Sequence, residues 1–467
     1  MHHFVSSKKV LDINITTAMV QSIPLTQITE DDAKHHLKSL TFEVKDSFTS
    51  KRNKPICLAK LTETDLNLPR AYMLKHFDVK DNIKKNPLQP PSEFNGVLCD
   101  KRSQVIAGKK ILDALEIKRG AVLCLPCGFG KTVVSLYIAC KRGGKTLILV
   151  HKTSLLQQWI ERINQYCPNS IVGIMQGKTN PASDCTFVVG MFQTVSMREY
   201  NDPNLVCNTL IVDEAHHVPA VTFTDGISKV NCNASLGLTA TPNRVDGLTP
   251  ILYAFMGDIE FCIKRQESNS LRALVLTQQL PSNGIRESRI RGSDNVNISK
   301  MITDICQDDA RNDAIVSIII DLINNDLKRH VIVLSDRTKQ LQILFDKVTA
   351  RGNVALKSCP YGGARICIGS TKKRDRIDAL KARVVLTTFA FSSEGVDEPR
   401  LDTLIMASPK GNVTQSVGRI LREHDEKQTP VIYDFSERFH SGVIMGLSAK
   451  RRSVYKKHNF NIQKLEK

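Results

Sequence analysis

The chain has 467 residues, 41% of them hydrophobic, with a formal net charge of +18 and a pI of about 9.3. That length exceeds a single hydrophobic core and predicts two to four domains, while the ordinary apolar content excludes large-scale disorder. The basic balance favours a polyanionic partner, nucleic acid first. Thirteen scattered cysteines with one C-x-x-C pair, Cys124 and Cys127, argue against a disulfide framework and against a zinc site, and for reduced thiols. The first residues lack an apolar signal core and the longest apolar runs are strand-sized, so a soluble intracellular protein away from membranes is expected. Nuclear, cytoplasmic and virion locations are not distinguished.

Residues 1–95 carry no recognisable chemistry and are expected to form a small α+β region of unknown role. Thr41-Phe-Glu-Val and Pro55-Ile-Cys-Leu-Ala read as short strands, and the prolines between Asn86 and Gly96 read as a linker. From there to residue 262 strands and helices alternate. Helical spacing runs from Gln104 to Ile117, from Thr132 to Cys140 and from Leu155 to Tyr166. Short apolar runs begin at Ala121, Lys145, Phe187 and Thr209, the pattern of a parallel sheet covered on both faces. Residues 263–325 read as a connector and the start of a second unit. Residues 326–440 form that unit, with strands at His330, Ala364, Val384, Thr403 and Pro430, and residues 441–467 read as a basic tail. The fold class expected is α/β, with two tandem parallel-sheet domains.

Chemistry gathers at two places in the first unit. Leu125-Pro-Cys-Gly-Phe-Gly-Lys-Thr lies between an apolar run and a helix. Such a turn wraps backbone N–H groups around phosphates, with Gly128 and Gly130 permitting close approach. Pro126, Cys127 and Phe129 complete the cradle, Lys131 reaches the β- and γ-phosphates, and the Thr132 hydroxyl is a ligand for Mg²⁺. The strict G-x-x-x-x-G-K-T pattern is not met, because Leu125 stands at its first glycine. Downstream, Thr209-Leu-Ile-Val-Asp-Glu-Ala-His ends an apolar strand in two carboxylates. Asp213 is placed to hold the metal and Glu214 to orient and deprotonate the attacking water. Hydrolysis of a nucleoside triphosphate follows. Trp159, on an apolar helix stripe, reads as core packing.

With these motifs the chain resembles the superfamily 2 helicases and translocases. Leu147-Ile-Leu-Val-His-Lys-Thr-Ser-Leu-Leu-Gln-Gln-Trp is similar to motif Ia, Leu238-Thr-Ala-Thr-Pro to motif III, Thr387-Thr-Phe-Ala-Phe-Ser-Ser-Glu-Gly-Val-Asp to motif V, and Gln415-Ser-Val-Gly-Arg-Ile-Leu-Arg to motif VI. All occur in the family's order across about residues 98–435. The phosphate loop, the segment Thr-Ala-Thr-Pro-Asn-Arg-Val-Asp-Gly-Leu and the ending from Lys450 are similar to the XPB-like branch. That branch includes the UvsW type of phage helicase and helicases of large DNA viruses, with poxvirus-type transcript-release helicases close in layout.

The resemblance implies two RecA-like lobes, ATP and Mg²⁺ as cofactors, and a viral source. It implies Arg419 and Arg422 as catalytic arginines, and Gln104, Gly395, Asp397 and Gln415 as further nucleotide contacts. His216, Thr239, Thr241, Arg244 and Asp246 would couple hydrolysis to strand movement. Nucleic acid would meet His151, Lys152, Thr153, Gln193, Thr194, Thr387 and Thr388. The branch's L-R-x-x-Q is replaced here by Asp100-Lys-Arg-Ser-Gln, and residues 1–95 match no module of it.

The function expected is an ATP-dependent DNA helicase or translocase moving 3′ to 5′, in viral transcription or DNA repair, with DNA favoured over RNA. The alternatives are an RNA helicase and an ATP-driven factor that releases transcript or polymerase without unwinding, which would add the transcription machinery as a partner.

Overall fold

The computed structural model describes residues 8–43, 55–83, 92–126, 128–200, 202–214, 220–240, 249–263, 273–280, 287–290, 296–326, 328–352, 363–395, 398–421, 424, 427–437 and 442–465. The chain divides into two units, Met1–Arg265 and Gln266–Lys467.

The first unit opens with β1 (Lys9–Asn14), β2 (Val20–Pro24), α1 (Glu30–Ser39), β3 (Thr41–Phe42), β4 (Ile56–Cys57), β5 (Lys60–Leu61), β6 (Asp65–Pro69), α2 (Arg70–His76) and β7 (Phe77–Lys80). Here β1 pairs with β7 in parallel, β2, β6 and β5 form an antiparallel sheet, and β3 pairs with β4. The two strands expected near residues 41 and 55 are therefore present, as β3 and β4. The helix α1 starts on Thr29, whose side chain accepts from the Asp32 N–H, and carries Glu30, Asp31 and Asp32 in its first turn, where the helix dipole favours them.

A seven-stranded sheet follows. Its strands are β8 (Gly120–Cys124), β9 (Thr146–Val150), β10 (Val172–Met175), β11 (Phe187–Met191), β12 (Val206–Asp213), β13 (Asn231–Thr239) and β14 (Ile259–Cys262). They lie in the order β10-β11-β9-β12-β13-β8-β14, and every pairing is parallel. The helix α3 (Gln104–Ile117) leads into β8, and between the strands run α4 (Lys131–Arg142), α5 (Thr153–Tyr166) and α6 (Phe192–Ser196).

Alternation along each strand sorts residues to two faces. Val122, Leu147, Leu149, Leu210 and Val212 belong to one core and Leu123, Ile148, Val150 and Ile211 to the other. The second core is completed by Ile111, Val134, Leu136, Leu156 and Ile163 from α3, α4 and α5. The first core continues without a break into Met19, Ile23, Leu66, Leu68 and Met73 of residues 1–95. Arg70, 1% exposed, reinforces that junction by donating to the carbonyls of Thr17 and Cys232. The N-terminal region is thus packed into the first lobe.

The second unit repeats the plan. The strands are β15 (Leu274–Leu280), β16 (Val331–Ser335), β17 (Ala364–Ile366), β18 (Val384–Thr388), β19 (Thr403–Met406), β20 (Val431–Glu437) and β21 (Asn461–Lys464). They are parallel, in the order β17-β18-β16-β19-β20-β15-β21. Ile332, Leu334, Val385 and Leu404 face one core and Val331, Val333, Val384 and Ile405 the other. The expected connector at 263–325 contains β15, a strand of this sheet, and the expected basic tail contains the helix Gly442–Lys457 and the edge strand β21. Both α/β sheets have the tandem RecA-like plan. Among the described residues no helix is long and apolar enough to cross a membrane.

Candidate active site

The strand β8 ends where the Leu125 N–H donates to the Thr239 carbonyl at 3.1 Å, so the phosphate loop leaves the sheet beside the end of β13. Gly128 and Gly130 both have φ of +85°, in the left-handed region that glycine alone enters freely. A Cβ on Gly130 would also collide with the Gln104 side-chain amide. Gly130 N-caps α4 without a side-chain cap, so the first-turn N–H groups keep the positive end of a 12-residue helix facing the loop. Lys131 and Thr132 are the first two residues of that helix. Pro126 is half-buried and Phe129 packs on the core beneath; Cys127 lies outside the described residues.

Gln104, expected as a nucleotide contact, is 4% exposed and holds the loop from behind. Its Nε2 donates to the Phe129 carbonyl at 2.9 Å, and its Oε1 accepts from the Cys99 N–H at 2.8 Å. Ser103, at φ +54°, makes the turn that delivers it. Arg102, which the sequence did not single out, donates from Nη1 to the Gly128 carbonyl at 3.1 Å. Its one visible signal was the changed L-R-x-x-Q element.

The strand β12 carries Asp213 at its C-terminal end, in register with Leu238 of β13. Asp213 is 7% exposed, and burial, followed by the neighbouring Glu214 charge, pushes its carboxyl up to about 6. Lys131 and a hydrogen bond from Trp159 pull the other way. Glu214 has a φ of +46°, costly for a side-chain-bearing residue, and this turn swings its carboxylate to the loop. Lys131 Nζ donates to Glu214 Oε1 at 3.0 Å, with both side chains mostly buried. The lysine, the glutamate and the buried aspartate are thus assembled at the mouth of an open helix N-terminus.

Trp159, expected as core packing, is indeed 2% exposed, yet its indole Nε1–H donates to Asp213 Oδ2 at 2.9 Å. Of the expected coupling residues, Thr239 is buried at the end of β13, while His216, Thr241, Arg244 and Asp246 lie outside the described residues.

The expected strand contacts of the first unit come together at the ends of β9, β10 and β11. Gln193 Nε2 donates to the His151 carbonyl at 3.3 Å. Thr194 Oγ1 accepts from the Gly177 N–H at 2.9 Å, and Gln176 Nε2 donates to Thr153 Oγ1 at 3.2 Å. Lys152, Thr153 and Gln193 are exposed, whereas Thr194 is buried and braces the cluster. Gln176 and Gly177 were not read from the sequence, where no pattern distinguishes them.

In the second unit Thr387 is fully buried and its hydroxyl donates to the Cys367 carbonyl, so its side chain holds the sheet end and does not face a strand. Thr388 is partly exposed, and its Oγ1 accepts from the Phe391 N–H at 3.2 Å. Gly395 ends the helix Phe389–Gly395. Gln415 and Arg419 lie on the helix Thr414–Ile420, with Arg419 half-buried. Asp397 and Arg422 lie outside the described residues.

Residues 100–244, which hold the phosphate loop and the Asp213–Glu214 pair, match the family described as "Type III restriction enzyme, res subunit". The chain is 30% identical over 406 residues to a protein of Acanthamoeba polyphaga mimivirus named as an ATP-dependent RNA helicase, covering 85% of this chain and 76% of that one. It is 28% identical over 342 residues to a protein of Escherichia phage T5 named as a helicase, covering 71% of each. Among solved structures it shares its fold with the type ISP restriction-modification enzyme LlaBIII, at a TM-score of 0.54 and 14% identity, covering 79% of this chain and 31% of that one. The chain belongs to the superfamily 2 helicases, in a group with relatives in large DNA viruses, and is an ATP-hydrolysing enzyme that acts on nucleic acid.

Proposed function

We propose that this enzyme uses ATP with Mg²⁺ to move 3′ to 5′ along DNA and to separate its strands, in viral transcription or repair. The observation that carries the reading is the assembly of Lys131, Glu214 and Asp213 at the uncapped start of α4. Lys131 leaves Glu214 for the β- and γ-phosphates when nucleotide enters. Glu214, so released, orients the attacking water and takes its proton. The family resemblance assigns Arg419 and Arg422, of motif VI, the role of catalytic arginines, a contribution worth about 10³–10⁵-fold in enzymes of this chemistry.

The Thr132 hydroxyl and the Asp213 carboxylate would hold Mg²⁺. This donor set fits, because Mg²⁺ takes oxygen ligands and combines one or two carboxylates with phosphate oxygens and water. Bound there, the ion would neutralise part of the triphosphate charge.

The net charge of +18 and the exposed Lys152, Thr153 and Gln193 support tracking of phosphates. One tryptophan, itself buried, leaves little for a base-stacking platform. DNA is favoured by the motif set, and the mimivirus relative's name makes RNA the arm to test against it. ATP turnover is expected to rise with single-stranded DNA more than with RNA, and a forked DNA duplex to be separated. Stimulation by RNA alone would replace DNA as the substrate. Turnover on DNA without strand separation would favour a translocase that displaces transcript or polymerase.

A further inference from the structure

The helix α5 has a different task at each end. Its start, Lys152 and Thr153, is exposed beside Gln176 and Gln193. Six residues on, about 9 Å along a helix axis, Trp159 is buried against Asp213. Apolar packing explains the burial of the ring but not the destination of its N–H. An indole N–H only donates, has a single hydrogen to give, and is costly to bury without an acceptor. The acceptor it has is a carboxylate oxygen at the end of β12, 54 residues away, which makes the bond charge-assisted when that carboxylate is ionised.

This bond restricts rotation of the Asp213 carboxylate and ties its position to that of α5. We propose that Trp159 is a positioning residue. It fixes the Asp213 carboxylate for hydrolysis and transmits to it the seating of a nucleic-acid strand at Lys152 and Thr153. The proposal rests on the reading of Asp213 as part of the nucleotide site and of the α5 start as a strand contact. A strand drawn against the first turn shifts α5 along its axis, the rigid helix carries Trp159 with it, and the indole sets the aspartate.

The substitution Trp159→Phe removes the N–H and keeps an aromatic ring. Loss of one hydrogen bond to a charged group predicts turnover with saturating single-stranded DNA about tenfold lower. The KM for ATP should stay within about twofold, because the missing contact acts after binding. Unchanged turnover in a folded Trp159→Phe protein overturns the proposal.

A second measurement needs no variant. Trp159 is the only tryptophan, so the emission of the native enzyme reports on this one bond. Adding Mg²⁺ with adenylyl imidodiphosphate, and then single-stranded DNA, should shift that emission in two steps. Emission indifferent to DNA while DNA stimulates turnover contradicts the link. A native enzyme that neither binds nucleotide nor turns it over would instead sink the functional reading itself.

Discussion

The two sheets each bury an aspartate on a parallel strand, and the two are treated oppositely. In the second unit Asp434 accepts from Arg451 at 2.7 Å, and that guanidinium, 1% exposed, also donates to the carbonyls of Lys410 and Phe435 at 2.8 Å each. Asp434 holds Arg451 firmly in its charged form. Every strong electrostatic demand of that pair is met inside the protein. In the first unit Asp213 is as deeply buried, yet among the described residues it makes no ion pair. It has an indole N–H, and the nearby Lys131 is engaged by Glu214. A buried carboxylate balanced by arginine is structure. One left with a neutral donor, its carboxyl pushed up to about 6, fits the metal-holding role proposed above for Asp213.

The largest effect that tests this contrast lies beside Asp213. Lys131→Ala should reduce ATP turnover at least about a hundredfold, because the lysine serves the triphosphate. Turnover that survives would remove the phosphate-loop assignment. Next comes Arg451→Met. Removing one partner of a buried pair strands the other charge, and denaturant titration should show a loss of about 3–5 kcal/mol. A neutral result would mean that Asp434 finds another partner.

Asp213→Asn should move stability in the other direction. An acid whose folded value lies above its unfolded one makes the folded state bind more protons between pH 3.8 and about 6. Stability contributed by this group therefore falls as pH rises through that window, and the full penalty is present above it. In EDTA at pH 8 the asparagine variant should be the more stable of the two, while ATP turnover is lost. If it is less stable, Asp213 is a structural group like Asp434.

Much of this architecture was legible in the chain. The apolar runs at Thr146–Val150, Val331–Ser335 and Val384–Thr388 are strands because branched side chains on both faces find helices to pack against. The spacing from Gln104 to Ile117 gave a helix with those bounds. The strands that escaped notice lack that signal. β13 fills crowded space with small residues such as Ala234, Ser235 and Gly237, and β21 is an exposed edge whose pairing comes wholly from β15. Likewise the union of residues 1–95 with the first lobe depends on Arg70 meeting Cys232, 162 residues away. The phosphate loop and the two carboxylates were readable because their spacing follows from their chemistry. Trp159 was not, because an apolar stripe announces burial and says nothing about where a single N–H points.

The smallest expected effect lies in the N-terminal region. His36 is pushed down to about 4 by burial, with His76 and His35 adding to it, and its Nδ1 lies 2.9 Å from the Tyr72 hydroxyl. A histidine lowered in the folded state leaves the unfolded chain with more protons between pH 6.5 and about 4. Stability is therefore full above that window and lost as pH falls through it. Melting should drop by a few degrees between pH 7 and pH 5, and His36→Gln should flatten the dependence.

The most direct test is a thermal-shift titration in a Glu214→Gln background, where nucleotide binds without turnover. ATP with Mg²⁺ should raise the melting temperature well beyond ATP with EDTA, and adding Asp213→Asn should erase that Mg²⁺-dependent increment while leaving the ATP-only shift. A Mg²⁺ increment that persists undiminished without the Asp213 carboxylate would contradict the account.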